Sequence, residues 1–210
     1  MTLDDSCISE VLEKYRFNPD AVACERIRRY ISILLRWNQR ISLTSVVDPL
    51  EVLRFHFGES IYAHSIGLLG SGRLADVGSG AGFPGMAIGL IERETRVTLI
   101  EPNLKKSVFL VEVSRELGLR NIEVIRGRMD AITVGEFDFV TSRALGRASE
   151  FLNFARAHLT DRGKAVLWVG KADAEDLISE QSRWKWSAPI SIPASERRCI
   201  LAGSPTAISN

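Results

Sequence analysis

The chain has 210 residues, 45% of them hydrophobic and 25% charged, the balance of a globular protein with one core of ordinary size. A formal net charge of +1 excludes a global basic field, so any contact with nucleic acid has to be a local patch or be shared with other molecules. The apolar stretches are short and broken by charge, which argues against a membrane span, and the acidic start MTLDDSCISEVLEKYRF lacks a signal pattern; the cytoplasm is the expected compartment.

Residues 1–70 read as a helical N-terminal extension. Asn18 as N-cap and Pro19 as first helical residue form a start signal. After them Ile27, Tyr30, Ile31, Leu34, Leu35 and Asn38 recur at three- and four-residue steps, the apolar face of a long helix. Asp48 and Pro49 repeat the signal ahead of Val52, Phe55, Glu59, Tyr62, Ile66 and Leu69, and Gly70-Ser71-Gly72 closes the region. Cys7, Cys24 and Cys199 are far apart and odd in number, which suits reduced thiols. His56, His64 and His158 are scattered, and no metal site is expected.

Residues 71–210 alternate. The runs RLADVG, RVTLIEP, IEVIRG, FDFVTSRA and GKAVLWVG read as strands, and 84–92, 104–118, 147–160 and 173–183 as helices. Strand then helix, repeated, predicts an α/β fold: a mostly parallel, Rossmann-like sheet with helices on both faces. KWSAPISIP and RRCILAG suit an antiparallel hairpin at the C-terminal edge, and SPTAISN reads as a loose tail. The helical extension is expected to pack on this domain as one compact unit.

Ligands of such sheets bind at the carboxyl ends of the strands, where Gly78-Ser79-Gly80-Ala81-Gly82-Phe83-Pro84-Gly85 lies. The turn lacks the lysine of a P-loop. It also has Phe83 where a dinucleotide fingerprint needs its third glycine. The pattern Asp76-x-Gly78-x-Gly80-x-Gly82 resembles the first motif of class I S-adenosylmethionine-dependent methyltransferases. A ligand without pyrophosphate needs bare backbone to lie against, not a phosphate nest. Glu101, at the tip of the next strand, can accept both ribose hydroxyls or can be a solvated strand end. Asp130, backed by Met129, can meet an adenine amino group or cap a helix.

LLRWNQRISLTSVVDPLEVLRFHFGES, DVGSGAGFPG, VTSRAL and ERRCIL together resemble the bacterial small-subunit rRNA guanine-N7 methyltransferases, the RsmG or glucose-inhibited division protein B family. The resemblance implies a class I methyltransferase fold and S-adenosylmethionine as cofactor. Donor contacts would fall on Gly78, Phe83, Met129, Asp130 and Arg143, joining Asp76, Gly80, Gly82 and Glu101. The substrate would be small-subunit rRNA or its particle, met by a monomer without metal or membrane. Two positions depart from the family pattern: Glu59 stands for an aspartate, and Val169 for a lysine, with Lys171 two positions on.

Guanine N7 has its lone pair in the ring plane and carries no proton, so no general acid or base is assigned; Arg143 is the positioning candidate, on phosphate or on the donor's carboxylate. Arg128, Arg147, Lys171, Arg197 and Arg198 are candidate RNA contacts. Trp37, Trp168, Trp184 and Trp186 are expected in the core. A small-molecule methyltransferase and a non-catalytic RNA- or ribosome-binding module are the alternative readings.

Overall fold

The computed structural model of the chain describes residues 3–143 and 146–206. Five parallel strands, β1 (Arg73–Val77), β2 (Arg96–Ile100), β3 (Ile122–Ile125), β4 (Phe137–Arg143) and β5 (Leu159–Gly170), precede β6 (Trp184–Trp186), β7 (Ile190–Ser191) and β8 (Arg198–Pro205). The order is β3-β2-β1-β4-β5-β8-β6, with β8 antiparallel to both its neighbours and to β7. The expected hairpin therefore exists, but its second strand lies inside, against β5. The expected tail is partly strand: Ser204 and Pro205 belong to β8, Thr206 N–H donates to the Arg183 carbonyl, and 207–210 lie outside the described residues.

Side chains alternate across a strand, and the sheet separates two apolar clusters accordingly. Leu74, Val97, Leu99, Val166, Trp168, Ile200 and Ala202 face the first, and Ala75, Val77, Ile100, Ala165, Leu167, Val169, Cys199 and Leu201 face the second. Helices α7 (Ala148–His158) and α8 (Lys171–Glu180) cover the second face. The first is covered by α5 (Gly85–Ile91) and α6 (Leu104–Glu116) and, continuous with them, by the N-terminal helices.

Those helices are α1 (Asp5–Glu13), α2 (Ala21–Asn38), α3 (Pro49–Glu51), a π-helical segment Val52–Gly58, and α4 (Glu59–Ser65). The start of α2 corrects the expectation. Asp20, not Asn18, is the N-cap, because its carboxylate accepts the Ala23 N–H at 2.7 Å, so Asn18 and Pro19 stay outside the helix. Asp48 caps as expected, accepting from Glu51 N–H at 2.9 Å, with Pro49 opening the helix.

Tyr30 seats the extension on the glycine turn. Its hydroxyl donates to the Ala81 carbonyl at 2.6 Å, and its ring stacks on Phe83 at 5.4 Å with 7° between planes. A Cβ on Gly82 would overlap that hydroxyl and approach Met86 to 2.9 Å, and Gly82 sits at φ +89°. Gly82 is therefore required by close approach of an aromatic ring. Gly85 answers a similar demand one turn later, since a Cβ there would lie 2.6 Å from both Asp76 Cβ and Leu99 Cδ2. The close helix–strand approach that Phe83 could not provide is met by Gly85.

Gly82→Ala is expected to cost about 2–4 kcal/mol, from overpacking and a left-handed backbone. Tyr30→Phe should cost about 1 kcal/mol, for one hydrogen bond. Removal of the hydroxyl makes room for the new methyl, so the double variant should be more stable than the two losses added together; urea unfolding of the three variants measures this coupling.

Candidate active site

The strand order reverses between β1 and β4, and both strands end in the same crevice. A cleft of about 220 Å³ opens there, bordered by Val77, Gly78, Ile100, Met129, Asp130, Ser142 and Arg143. A second, of about 170 Å³, lies on the other side of Gly78, between Gly80, Phe83, Thr44, His56 and Arg143. A third, of about 350 Å³, lies between Arg143, Trp168, Arg198 and the acidic side of α8. Gly78 borders the first two clefts, and Arg143 borders all three.

The turn is held from below. Gly78 and Ser79 N–H groups donate to the Ile100 carbonyl, at 2.9 and 3.2 Å, and Gly80 N–H donates to Glu101 at 2.8 Å. The second oxygen of Glu101 accepts from Asn103 N–H at 2.8 Å. Both oxygens of this buried carboxylate thus carry one backbone bond and keep one acceptor site each. Gly78 and Gly80 lie at φ +72° and +56°, and among the described residues a Cβ on Gly78 would meet nothing within 4 Å; one on Gly80 would meet the Gly78 carbonyl at 3.8 Å. These two glycines present bare backbone to open space, unlike Gly82 and Gly85.

Asp76 lies under the turn. It is fully buried, accepts from Thr141 Oγ1–H at 2.9 Å and Gly85 N–H at 3.2 Å, and joins β1, β4 and the start of α5. Burial raises its pKa to about 6 against the pull of those hydrogen bonds. Asp76, Gly82 and Phe83 were expected at the ligand, but the first faces the protein and the second leaves no room for even a methyl group. Phe83 has its ring between Tyr30 and His56, the latter at 4.9 Å, and edges the second cleft.

Met129 is half-buried at the rim of the first cleft, and Asp130 is exposed and paired with Arg128 at 3.1 Å, which lowers the Asp130 pKa. Arg147 pairs with Glu150, and Arg198 with Glu59 at 2.6 Å. Lys171 and Arg197 are exposed and form no ion pair among the described residues. The strand ends at Gly170 and Lys171 opens α8, so Lys171 does not continue the face of Val169, which fills the second core. Trp168 is buried, and Trp37 donates its Nε1–H to Glu112 at 2.8 Å. Ala144, in the expected Ser-Arg-Ala turn, lies outside the described residues.

Sequence reasoning missed Thr44, His56 and the paired role of Glu59. The Asn38 side chain accepts from Leu43 N–H and Thr44 N–H, at 2.9 and 3.1 Å, and donates to the Thr44 carbonyl at 2.8 Å. This fixes residues 43–46 over the glycine turn and sets the Thr44 hydroxyl 2.8 Å from His56 Nε2. Burial, reinforced by Arg143, lowers the His56 pKa to about 3, so the ring is neutral. The signal was the pair Trp37-Asn38 followed by Leu43-Thr44-Ser45.

Residues 23–199 match the family described as rRNA small subunit methyltransferase G. The ribosomal RNA small subunit methyltransferase G of Halorhodospira halophila is 38% identical over 166 residues, 79% of this chain and 78% of that protein. Among solved structures, the ribosomal protein L11 methylase of Lactobacillus delbrueckii subsp. bulgaricus superposes with a TM-score of 0.61 at 14% identity, over 73% of this chain and 80% of its own. The glycopeptide N-methyltransferase MtfA complexed with S-adenosylmethionine superposes with a TM-score of 0.59 at 12% identity, over 70% and 87%. At these identities the two structures show a shared fold.

The raised pKa of Asp76 has a definite sign. Between its unfolded value of 3.8 and its folded value of about 6 the native state holds a proton that the unfolded chain releases, so this group's contribution falls as pH rises through that window. Asp76→Asn removes the titration. The stability of the variant relative to the parent should therefore improve from pH 4 to pH 7 by up to about 3 kcal/mol, read by urea unfolding at each pH.

Proposed function

This chain belongs to the rRNA small subunit methyltransferase G family and is an S-adenosylmethionine-dependent methyltransferase of small-subunit rRNA; we propose that the atom it methylates is N7 of a guanine. The observation that carries the reading is the turn at the β1–β4 switch point. Gly78 and Gly80 there present backbone without side chains to open space, flanked by Glu101 and by Arg143. The residues present fit the donor. Glu101 keeps acceptor sites for ribose hydroxyls, Met129 and Asp130 offer an apolar wall and an acceptor for adenine, and Arg143 offers a cation for a carboxylate.

The donor, when bound, supplies an electrophilic methyl group on sulfur. The task of the protein is to hold the acceptor in line with it, a contribution worth several kcal/mol and at best roughly 7–11. The surroundings suit an acceptor that needs no deprotonation. Asp76 is locked under the turn, and His56 is neutral and bonded to Thr44. Guanine N7 already exposes its lone pair. Its product is cationic, and the third cleft carries carboxylates, Asp173, Asp176 and Glu180, whose field would favour a positive ring.

For RNA, the base would be splayed from a loop. Lys171 and Arg197 are the candidates for backbone phosphates. Arg128, Arg147 and Arg198 already face carboxylates and would have to exchange partners. Residues 1–70 and 71–210 are read as one unit, since a single apolar cluster spans both, acting as a monomer in the cytoplasm without metal.

Incubation with methyl-labelled donor should label small-subunit rRNA, naked or in particles, from cells lacking this activity. Borohydride reduction and aniline should then cleave the labelled RNA at the modified base, as an N7-methylguanine requires. Label without scission would place the methyl on another atom. Gly80→Val, whose branched side chain enters the open space and strains a positive φ, should weaken S-adenosylhomocysteine binding by about a hundredfold or more by calorimetry.

A further inference from the structure

The N-terminal extension delivers one carboxylate to the active-site edge. Glu59 opens α4 and is 1% exposed. Its Oε1 lies 2.6 Å from Arg198 Nη2 and its Oε2 lies 3.3 Å from Arg143 Nη2. Its backbone is fixed as well, because Trp168 Nε1–H donates to the Glu59 carbonyl at 2.7 Å. Arg198 comes from β8 and Arg143 from the end of β4, so three distant parts of the chain meet on one carboxylate.

One carboxylate faces two guanidiniums, which leaves one positive charge in excess. Arg143 Nη1 and Glu59 Oε2 are both buried without a hydrogen-bond partner among the described residues, so the Arg143–Glu59 contact is an ion pair and not a hydrogen bond. An unpaired donor on a buried cation is costly unless something completes it. The three clefts that Arg143 borders differ in charge. The first carries Asp130 and Glu150, each paired with an arginine of the same cleft, Arg128 and Arg147, and the third carries Asp173, Asp176 and Glu180 beside Arg198. The second, against Gly78 and Gly80, is lined by no carboxylate among the described residues and holds about 170 Å³, room for an amino-acid end. An anion belongs in the second cleft. Glu59 lines none of the three, and of its two arginine partners Arg143 borders the second cleft, so it acts on a ligand there through Arg143.

We propose that Glu59 is a positioning residue, whose carboxylate, anchored by Arg198, fixes the Arg143 fork so that Nη1 receives the α-carboxylate of the methyl donor. The proposal rests on the donor assigned above. Glu59 thereby links the seating of the N-terminal extension to the strength of donor binding.

Two nucleoside probes test it by calorimetry: S-adenosylhomocysteine, which has the α-carboxylate, and 5′-methylthioadenosine, which lacks it. Glu59→Gln should weaken the first by about tenfold or more, the scale for truncating one partner of a buried charge pair, and leave the second within about twofold. Arg143→Lys should show the same selectivity, and Glu59→Asp should recover part of the loss. Equal weakening of both probes, or of neither, would overturn the proposal. So would a change confined to the KM for rRNA, which would mean that Arg143 meets a phosphate. Should Glu59→Gln fail to fold, Arg198→Gln, at a side chain 35% exposed, is read instead, with the same selectivity expected at smaller size and its absence overturning the proposal. Failure of the parent protein to bind S-adenosylhomocysteine would instead remove the donor assignment itself.

Discussion

The contact between Tyr30 and the glycine turn is the constraint on which the rest of the site depends. A tyrosine from the second helix of the extension donates to Ala81 and lies flat on Phe83, and Gly82 must lack a side chain for it to fit. The ring pairs Tyr30–Phe83 and Phe57–Phe83 contribute about 0.5–1.5 kcal/mol each beyond their burial, and His56 packs on Phe83 at 4.9 Å. With the extension seated there, the 43–46 loop comes down over Gly80 and the Glu59 carboxylate reaches Arg143. The extension is therefore one wall of the candidate site as well as a cover for the sheet.

The turn divides its glycines between two tasks that share one physical cause, the absence of Cβ. Gly78 and Gly80 leave space outward, where a ligand can lie against the backbone. Gly82 and Gly85 leave space inward, for an aromatic ring and for β1 with β2. Asp76 sits between the two pairs, and its hydrogen bonds to Thr141 and Gly85 offset part of the cost of burying a carboxylate that has no ion pair among the described residues.

Much of the fold was legible because it rests on periodicity. Alternating short apolar runs and helical spacing gave the strands, the two-faced sheet and the antiparallel edge. Boundaries slipped where local chemistry competed: Asp20 outbid Asn18 as a cap, and β8 went inside β6 because pairing partners are a long-range choice. At the candidate site, spacing proposed Gly78, Gly80 and Glu101 and the family motif proposed Arg143, and the structure places Gly78 and Arg143 on the same clefts with Glu101 bonded to the Gly80 N–H. Thr44 and His56 were not singled out: Thr44 stood in the Leu43-Thr44-Ser45 mark that follows Trp37-Asn38, but its partner is a buried neutral histidine that carries no spacing signal.

The sequence by itself determined the fold class and the family, because each is read from motifs that are short runs of neighbouring residues. Only the tertiary structure decided which glycines face open space and which face the core, since that depends on what packs against each. It alone showed that Glu59, an apparent substitution in a helix, holds two arginines from β4 and β8. Lys171 and Val169, two apart in sequence, were separated for the same kind of reason: the strand ends between them, and side-chain alternation holds only while a strand lasts.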